Sequence, residues 1–134
     1  MSDNVLNRIV ELIVSRFRVC GIILFGSRAR GDWRPWSDYD ILVIGDFDKP
    51  YLDRIKDLLD ALSNVKEPIE PHPYTLDEAL SMLRRGCPTI VDALEEGVIL
   101  YKTEELNKLI ELFHRLKEKG LKRTSVSIIV PSDI

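Results

Sequence analysis

Two short apolar runs, Val19 to Phe25 and Ile41 to Ile44, each stop at a glycine. Dense in aliphatic residues, bounded by turn residues and too short for ordinary helices, they read as buried strands. Between them stands Gly26-Ser27-Arg28-Ala29-Arg30-Gly31, and Asp38-Tyr39-Asp40 opens the second run. Two buried strands joined in this way put a polar turn and two carboxylates at the edge of one sheet. Where chemistry can sit is therefore constrained before the rest of the fold is considered.

The remaining segments supply helices around such a sheet. Val5, Leu6, Ile9, Val10, Leu12, Ile13 and Phe17 recur at helical spacing, predicting a helix over 4–17. Leu52, Ile55, Leu58, Leu59 and Leu62 mark a second one from Tyr51 to Leu62. A third strand is expected from Val65 to His72, followed by a capping box, Thr75 to Glu78, that opens the next helix. Pro88 suits the first turn of a helix ended by Gly97, and Val98 to Tyr101 reads as a short strand. Thr103 is placed as the cap of a long helix carrying Leu106, Leu109, Ile110, Phe113 and Leu116 and stopped at Gly120. Thr124 to Val130 alternates and is β-branched, fitting an edge strand or an arm. With no repeat or linker, the expectation is one α/β (or α+β) domain over 1–134. Its 102–134 part is a C-terminal helix plus a β-rich tail.

Composition narrows the class of function. A chain of 134 residues, 45% hydrophobic and 31% charged, carries one real core and is not disordered. No apolar run approaches the roughly eighteen residues of a membrane span, and Met1-Ser2-Asp3-Asn4 does not open a secretory signal; a cytoplasmic protein without membrane contact is expected. The net charge of −3 argues against strong nucleic-acid binding through general phosphate attraction. Cys20 and Cys87 have no metal-ligand spacing and read as reduced thiols.

The turn and the carboxylates are chemically complementary. A Gly-Ser turn straight after a buried strand presents N–H groups and a hydroxyl to an anion. Asp38 and Asp40, two apart at a strand mouth, share a face by period-two alternation; close carboxylates repel unless a cation lies between them. Mg²⁺ favours one or two carboxylates together with phosphate oxygens. Each half has an ordinary reading, a strand-ending turn and a pair of solvated aspartates. The combination points to a metal-bound nucleoside triphosphate.

At these residues the chain resembles the minimal nucleotidyltransferases (MNT) of the DNA polymerase β-like superfamily. Their signature is Gly-Ser, ten residues, then Asp-x-Asp; here it is Gly26-Ser27 and Asp38-Tyr39-Asp40, with the Gly-Ser-x-Ala-Arg-Gly form matched by Gly26 to Gly31. The resemblance spans 5–101. It implies a small mixed or antiparallel sheet flanked by helices, as in a polymerase β palm, two Mg²⁺ ions, and transfer of a nucleoside monophosphate from a triphosphate such as ATP. It also implies that Asp38 and Asp40 hold both ions, and that a third carboxylate comes from a later strand. Glu70 is the candidate, with Asp92, Glu95 and Glu96 behind it. Ser27 and the amides near Gly26 would hold phosphates, with Arg28 or Arg30 neutralising charge.

Pro71 and Pro73 remove two N–H donors on one side of the Glu70 strand, which should therefore be a sheet edge or a strand end there. Alternation places Glu70 and His72 on one face; His72 reads first as a surface strand residue and second as a neighbour of the site. Trp33, Arg34 and Trp36 fit either core closure or recognition, and Lys117, Lys119, Lys122 and Arg123 fit either helix-dipole compensation or an acidic partner.

Within the resembled family a common role is the antitoxin that moves AMP onto a tyrosine of a HEPN toxin, and that is the expected function here. The alternatives are a non-catalytic module that blocks its partner by contact, and a small-molecule nucleotidyltransferase. A homodimer or a hetero-oligomer fits a site carried by so small a domain.

Overall fold

The computed structural model describes residues 3–123 and 128–131. Helix α1 (Asp3–Arg16) leads into β1 (Val19–Phe25), a single turn α2 (Ser27–Arg30) and β2 (Tyr39–Gly45). Next come α3 (Tyr51–Ala61), β3 (Ile69–Tyr74), α4 (Leu76–Arg84), α5 (Pro88–Glu96) and β4 (Val98–Lys102). A 3-10 turn, Glu104–Leu106, enters α6 (Asn107–Glu118). Short β5 (Lys122–Arg123) and β6 (Ile128–Ile129) pair antiparallel apart from the main sheet.

The main sheet has the order β3-β2-β1-β4. β1 runs antiparallel to β2 and β4, while β2 and β3 are parallel, as the α3 crossover between them allows. β3 is an edge strand, as Pro71 and Pro73 require.

Helices cover both faces, which is why the two central strands are apolar over Val19 to Phe25 and Ile41 to Ile44. On one face Ile22, Leu24, Tyr39, Ile41 and Val43 pack with Leu6, Ile9 and Ile13 of α1 and Leu58 of α3. On the other, Ile23, Phe25, Leu42 and Ile44 meet α4, α5 and α6 through Ala79, Leu83, Ile90 and Leu109. The register of β1 shifts between Val19 and Gly21, so Cys20 joins the second face out of turn. Burial there, with the charges of Glu105 and Asp46 nearby, pushes the Cys20 thiol up to about 11, so it stays protonated at neutral pH.

A buried guanidinium ties β3 to its helices. Arg54 on α3 donates to Glu78 Oε1 and Oε2 (2.7 and 3.2 Å), to Lys49 O (2.7 Å) and to Pro73 O (3.4 Å). Glu78 also completes the capping box with Thr75, its carboxylate accepting from the Thr75 amide.

Three sequence expectations shift. The third strand starts at Ile69 rather than Val65, because the Val65 amide donates to Leu62 O in the turn that closes α3. Thr103 precedes a 3-10 turn and does not cap it; its Oγ1 is buried with no hydrogen-bond partner among the described residues. The expected tail strand, Thr124 to Val130, falls partly outside the described residues; its described part holds β6, which pairs with β5 just before it. Among the described residues no helix is long and apolar enough to cross a membrane.

Candidate active site

The site grows from the pairing of β2 with its two neighbours. Asp40 stands opposite Phe25 on β1 and opposite Glu70 on β3, and Leu42 stands opposite His72. Asp40, Glu70 and His72 therefore emerge together at one end of the sheet. One ligand atom from each lies within 4.8 Å of the others, a spacing at which a single cation can be shared. His72 Nε2 is 3.3 Å from Asp40 Oδ1, and the imidazole ring packs on Phe25 with centroids 5.0 Å apart.

Gly26 makes the crowding possible. Its backbone has φ 76° and ψ −160°, and a Cβ built on it would stand 2.3 Å from Asp40 Oδ2. The carboxylate thus lies directly against the backbone of the turn that opens α2. In that turn the Ala29 and Arg30 amides donate to Gly26 O, leaving the Ser27 and Arg28 amides at the open end with the Ser27 hydroxyl.

The two arginines have different tasks. Arg28 is buried; its guanidinium donates to Ser37 O (3.3 and 3.1 Å) and sits between the rings of Trp33 and Tyr39, 4.3 and 4.4 Å from their centroids. It pins the connector that delivers Asp38, with the ring of Trp33, 40% exposed, stacked against it. Trp36 is 75% exposed. Arg30 faces outward, paired with Glu96 (2.8 Å) and Asp32 (3.2 Å). Glu95 is bound to Lys117 (2.7 Å), so two of the fallback acids are engaged elsewhere.

Asp38 is exposed and precedes β2 by one residue, outside the three-residue cluster. Its charge still reaches the site. Burial pushes the Glu70 carboxyl above its ordinary range, and the adjacent Asp40 carboxylate pushes it further; His72 opposes this and Asp38 adds to it. A divalent ion placed among these carboxylates would remove the repulsion. The donor set, carboxylate oxygens around one imidazole, fits such an ion.

The sign of this shift gives a test. A carboxyl raised in the fold costs stability once pH passes its ordinary value, because folding then holds a charge the site disfavours. Glu70→Gln should raise Tm in chelator at pH 7 by roughly 1–2 °C, a small effect because the side chain is exposed and water screens it. The gain should vanish below about pH 4, where the carboxyl is protonated in both states. Melting curves across pH read it directly; a gain that persists at low pH would remove the charge argument.

His72 was the residue the sequence undervalued. The available signal was its alternation with Glu70, but the parallel register that carries both to Asp40 is a long-range fact. Further along β3, Tyr74 packs on Tyr51 of α3, ring centroids 5.2 Å apart. Burial, then the neighbouring Tyr74 and the charge of Glu70, push the Tyr51 phenol up. An open cleft of about 750 Å³, lined by Tyr51, Arg54, Tyr74, Met82 and Arg85 among others, continues from there between α3 and α4.

Comparison with known proteins places this fold among nucleotidyltransferase domains. Over 52 residues the chain is 42% identical to a Methanocaldococcus jannaschii protein provisionally named a protein adenylyltransferase. That stretch is 37% of this chain and 52% of the relative, so the chain spans about half the length of the curated protein it matches. A toxin–antitoxin structure with AMP-PNP shares its fold, with TM-score 0.57 at 20% identity over 84% of this chain and 86% of that one. So does a structure of tri-AMPylated Shewanella oneidensis HEPN toxin in complex with MNT antitoxin, at TM-score 0.54 and 19% identity over 88% and 87% of the two chains. The nucleotidyltransferase domain family matches residues 6–111, which contain β1, the Gly-Ser turn, both aspartates, Glu70 and His72. This chain belongs to that family of nucleotidyltransferase domains.

Proposed function

We propose that this chain transfers AMP from Mg-ATP to a hydroxyl of a protein, most specifically a tyrosine of a HEPN-type partner that it thereby disarms. The observation that carries the reading is the convergence of Gly26, Asp40 and Glu70, from three different strand ends, on one small polar site. The names of the relatives support the acceptor class.

Asp38, Asp40 and Glu70 hold two divalent ions in this reading. Once bound, these supply charge neutralisation on the phosphates and a more acidic acceptor hydroxyl. The Ser27 hydroxyl and the Ser27 and Arg28 amides receive the terminal phosphates. Arg30 reaches them by exchanging Glu96 for phosphate, while Arg28 keeps the connector in place. The acceptor oxygen attacks the α-phosphorus in line, a new P–O bond forms, the bond to the β-phosphate oxygen breaks, and pyrophosphate leaves. The acceptor proton passes to solvent or to a site carboxylate.

The test is transfer itself. With α-labelled ATP and Mg²⁺, the label should appear on one partner tyrosine, identified by peptide mass, and pyrophosphate should form in equal amount. An unlabelled partner under saturating Mg-ATP would reject the reading. Trp36, 75% exposed on the connector, favours contact as a second means of neutralisation. If a double Asp38→Asn/Asp40→Asn variant still neutralises the partner, contact suffices.

A further inference from the structure

We infer that His72 is itself a metal ligand, and that it biases the ion beside Asp40 and Glu70 toward a first-row transition cation such as Mn²⁺ over Mg²⁺. The inference rests on the nucleotidyltransferase reading above and deepens it.

The placement is specific. Glu70 and His72 share one face of β3, and the parallel register sets Glu70 opposite Asp40 and His72 opposite Leu42, the next residue on that face of β2. His72 Nε2 lies 3.3 Å from Asp40 Oδ1, close to the roughly 3 Å between adjacent donor atoms on one octahedral ion with bonds of about 2.1 Å. A cation can therefore take the place of the hydrogen bond without moving either element. The ring is also held ready: Phe25 packs against it, and only 18% of its side chain is exposed. Little rotamer freedom is left to lose when it ligates.

The chemistry then discriminates between ions. Mg²⁺ prefers oxygen donors and gains little from an imidazole, whereas affinity for N/O sites rises from Mn²⁺ along the first-row series. A nitrogen added to two carboxylates raises Mn²⁺ affinity more than Mg²⁺ affinity. If His72 merely oriented Asp40 by a hydrogen bond, its loss would weaken both ions alike.

Two measurements decide it, on the full chain with ATP present. Mn²⁺ and Mg²⁺ are titrated calorimetrically into wild type, His72→Ala and His72→Gln. The wild-type preference for Mn²⁺ should fall about tenfold or more in both variants. Pulsed EPR of bound Mn²⁺ in protein labelled with ¹⁵N-histidine should show a nitrogen coupling in wild type. The same signal should persist in a His114→Ala control, the chain's other histidine, which lies on α6. Wild-type spectra without nitrogen coupling, or an unchanged Mn²⁺/Mg²⁺ ratio, overturn the assignment while the transferase reading stands. Failure of wild type to bind either cation with ATP overturns both. The wild-type spectrum decides even if the variants do not fold.

Discussion

Asp40→Asn is expected to lower AMP transfer by at least about a thousandfold while leaving the melting temperature at or above that of wild type. The expectation follows from how many parts of the site touch this one carboxylate. Oδ1 faces His72, Oδ2 lies against Gly26, and Glu70 stands beside it in register on the next strand. Asparagine has the same shape, so the packing of β2 between β1 and β3 is kept. One of the three carboxylates assigned to the ions loses its charge, and with it much of the attraction for a divalent cation at neutral pH. Losing one well-placed electrostatic contact at a reacting centre costs about two to three orders of magnitude, and here the loss disables the ion site that several contacts depend on. Stability should not fall, because one of two mutually repelling carboxylates is removed, the same repulsion that pushes Glu70 upward. Single-turnover transfer with α-labelled ATP and a thermal melt on the same preparation measure both halves. Transfer within tenfold of wild type would refute the assigned mechanism, and a large drop in Tm would recast Asp40 as structural.

Much of this site was legible in the sequence, and the limits have physical causes. The strands β1 and β2 announce themselves because both faces of the sheet are covered, so neither run alternates. The edge position of β3 follows from Pro71 and Pro73, and the start of α4 from a capping box whose hydrogen bonds are local. What failed to show was set by distant partners. Arg28 sits within the Gly-Ser-x-Ala-Arg-Gly motif, yet its guanidinium turns back to Ser37 O and two aromatic rings, which no spacing rule reveals. His72 joins the carboxylates only because β2 and β3 are parallel and in one particular register; a shift of a single residue would send it to the other face. Thr103 had the right identity for a cap, but the chain enters α6 through a 3-10 turn and leaves its hydroxyl unused among the described residues.

Gly26→Ala tests whether the Gly-Ser turn and the carboxylates are one unit, and it should abolish transfer as fully as the loss of Asp40. The glycine occupies φ 76°, ψ −160°, a region open essentially to glycine alone. Strain there costs about 1–3 kcal/mol, and the added methyl would stand 2.3 Å from Asp40 Oδ2, far inside contact. Either the turn opens or the carboxylate is driven off its position, so the cost falls on stability and on geometry together. Tm should drop by roughly 6–12 °C, and transfer should be lost even at 10 °C below the new melting point. Gly31→Ala separates the two effects. Gly31 also has positive φ, 91°, but a Cβ there meets nothing within 4 Å. It should cost about 1 kcal/mol and keep most of the transfer rate, because strain is added without touching Asp40. Equal activity in the two variants would mean that the close approach of Gly26 to Asp40 does not matter. Activity surviving in Gly31→Ala and abolished in Gly26→Ala would assign this glycine to the site itself, as the residue whose missing side chain makes room for the carboxylate.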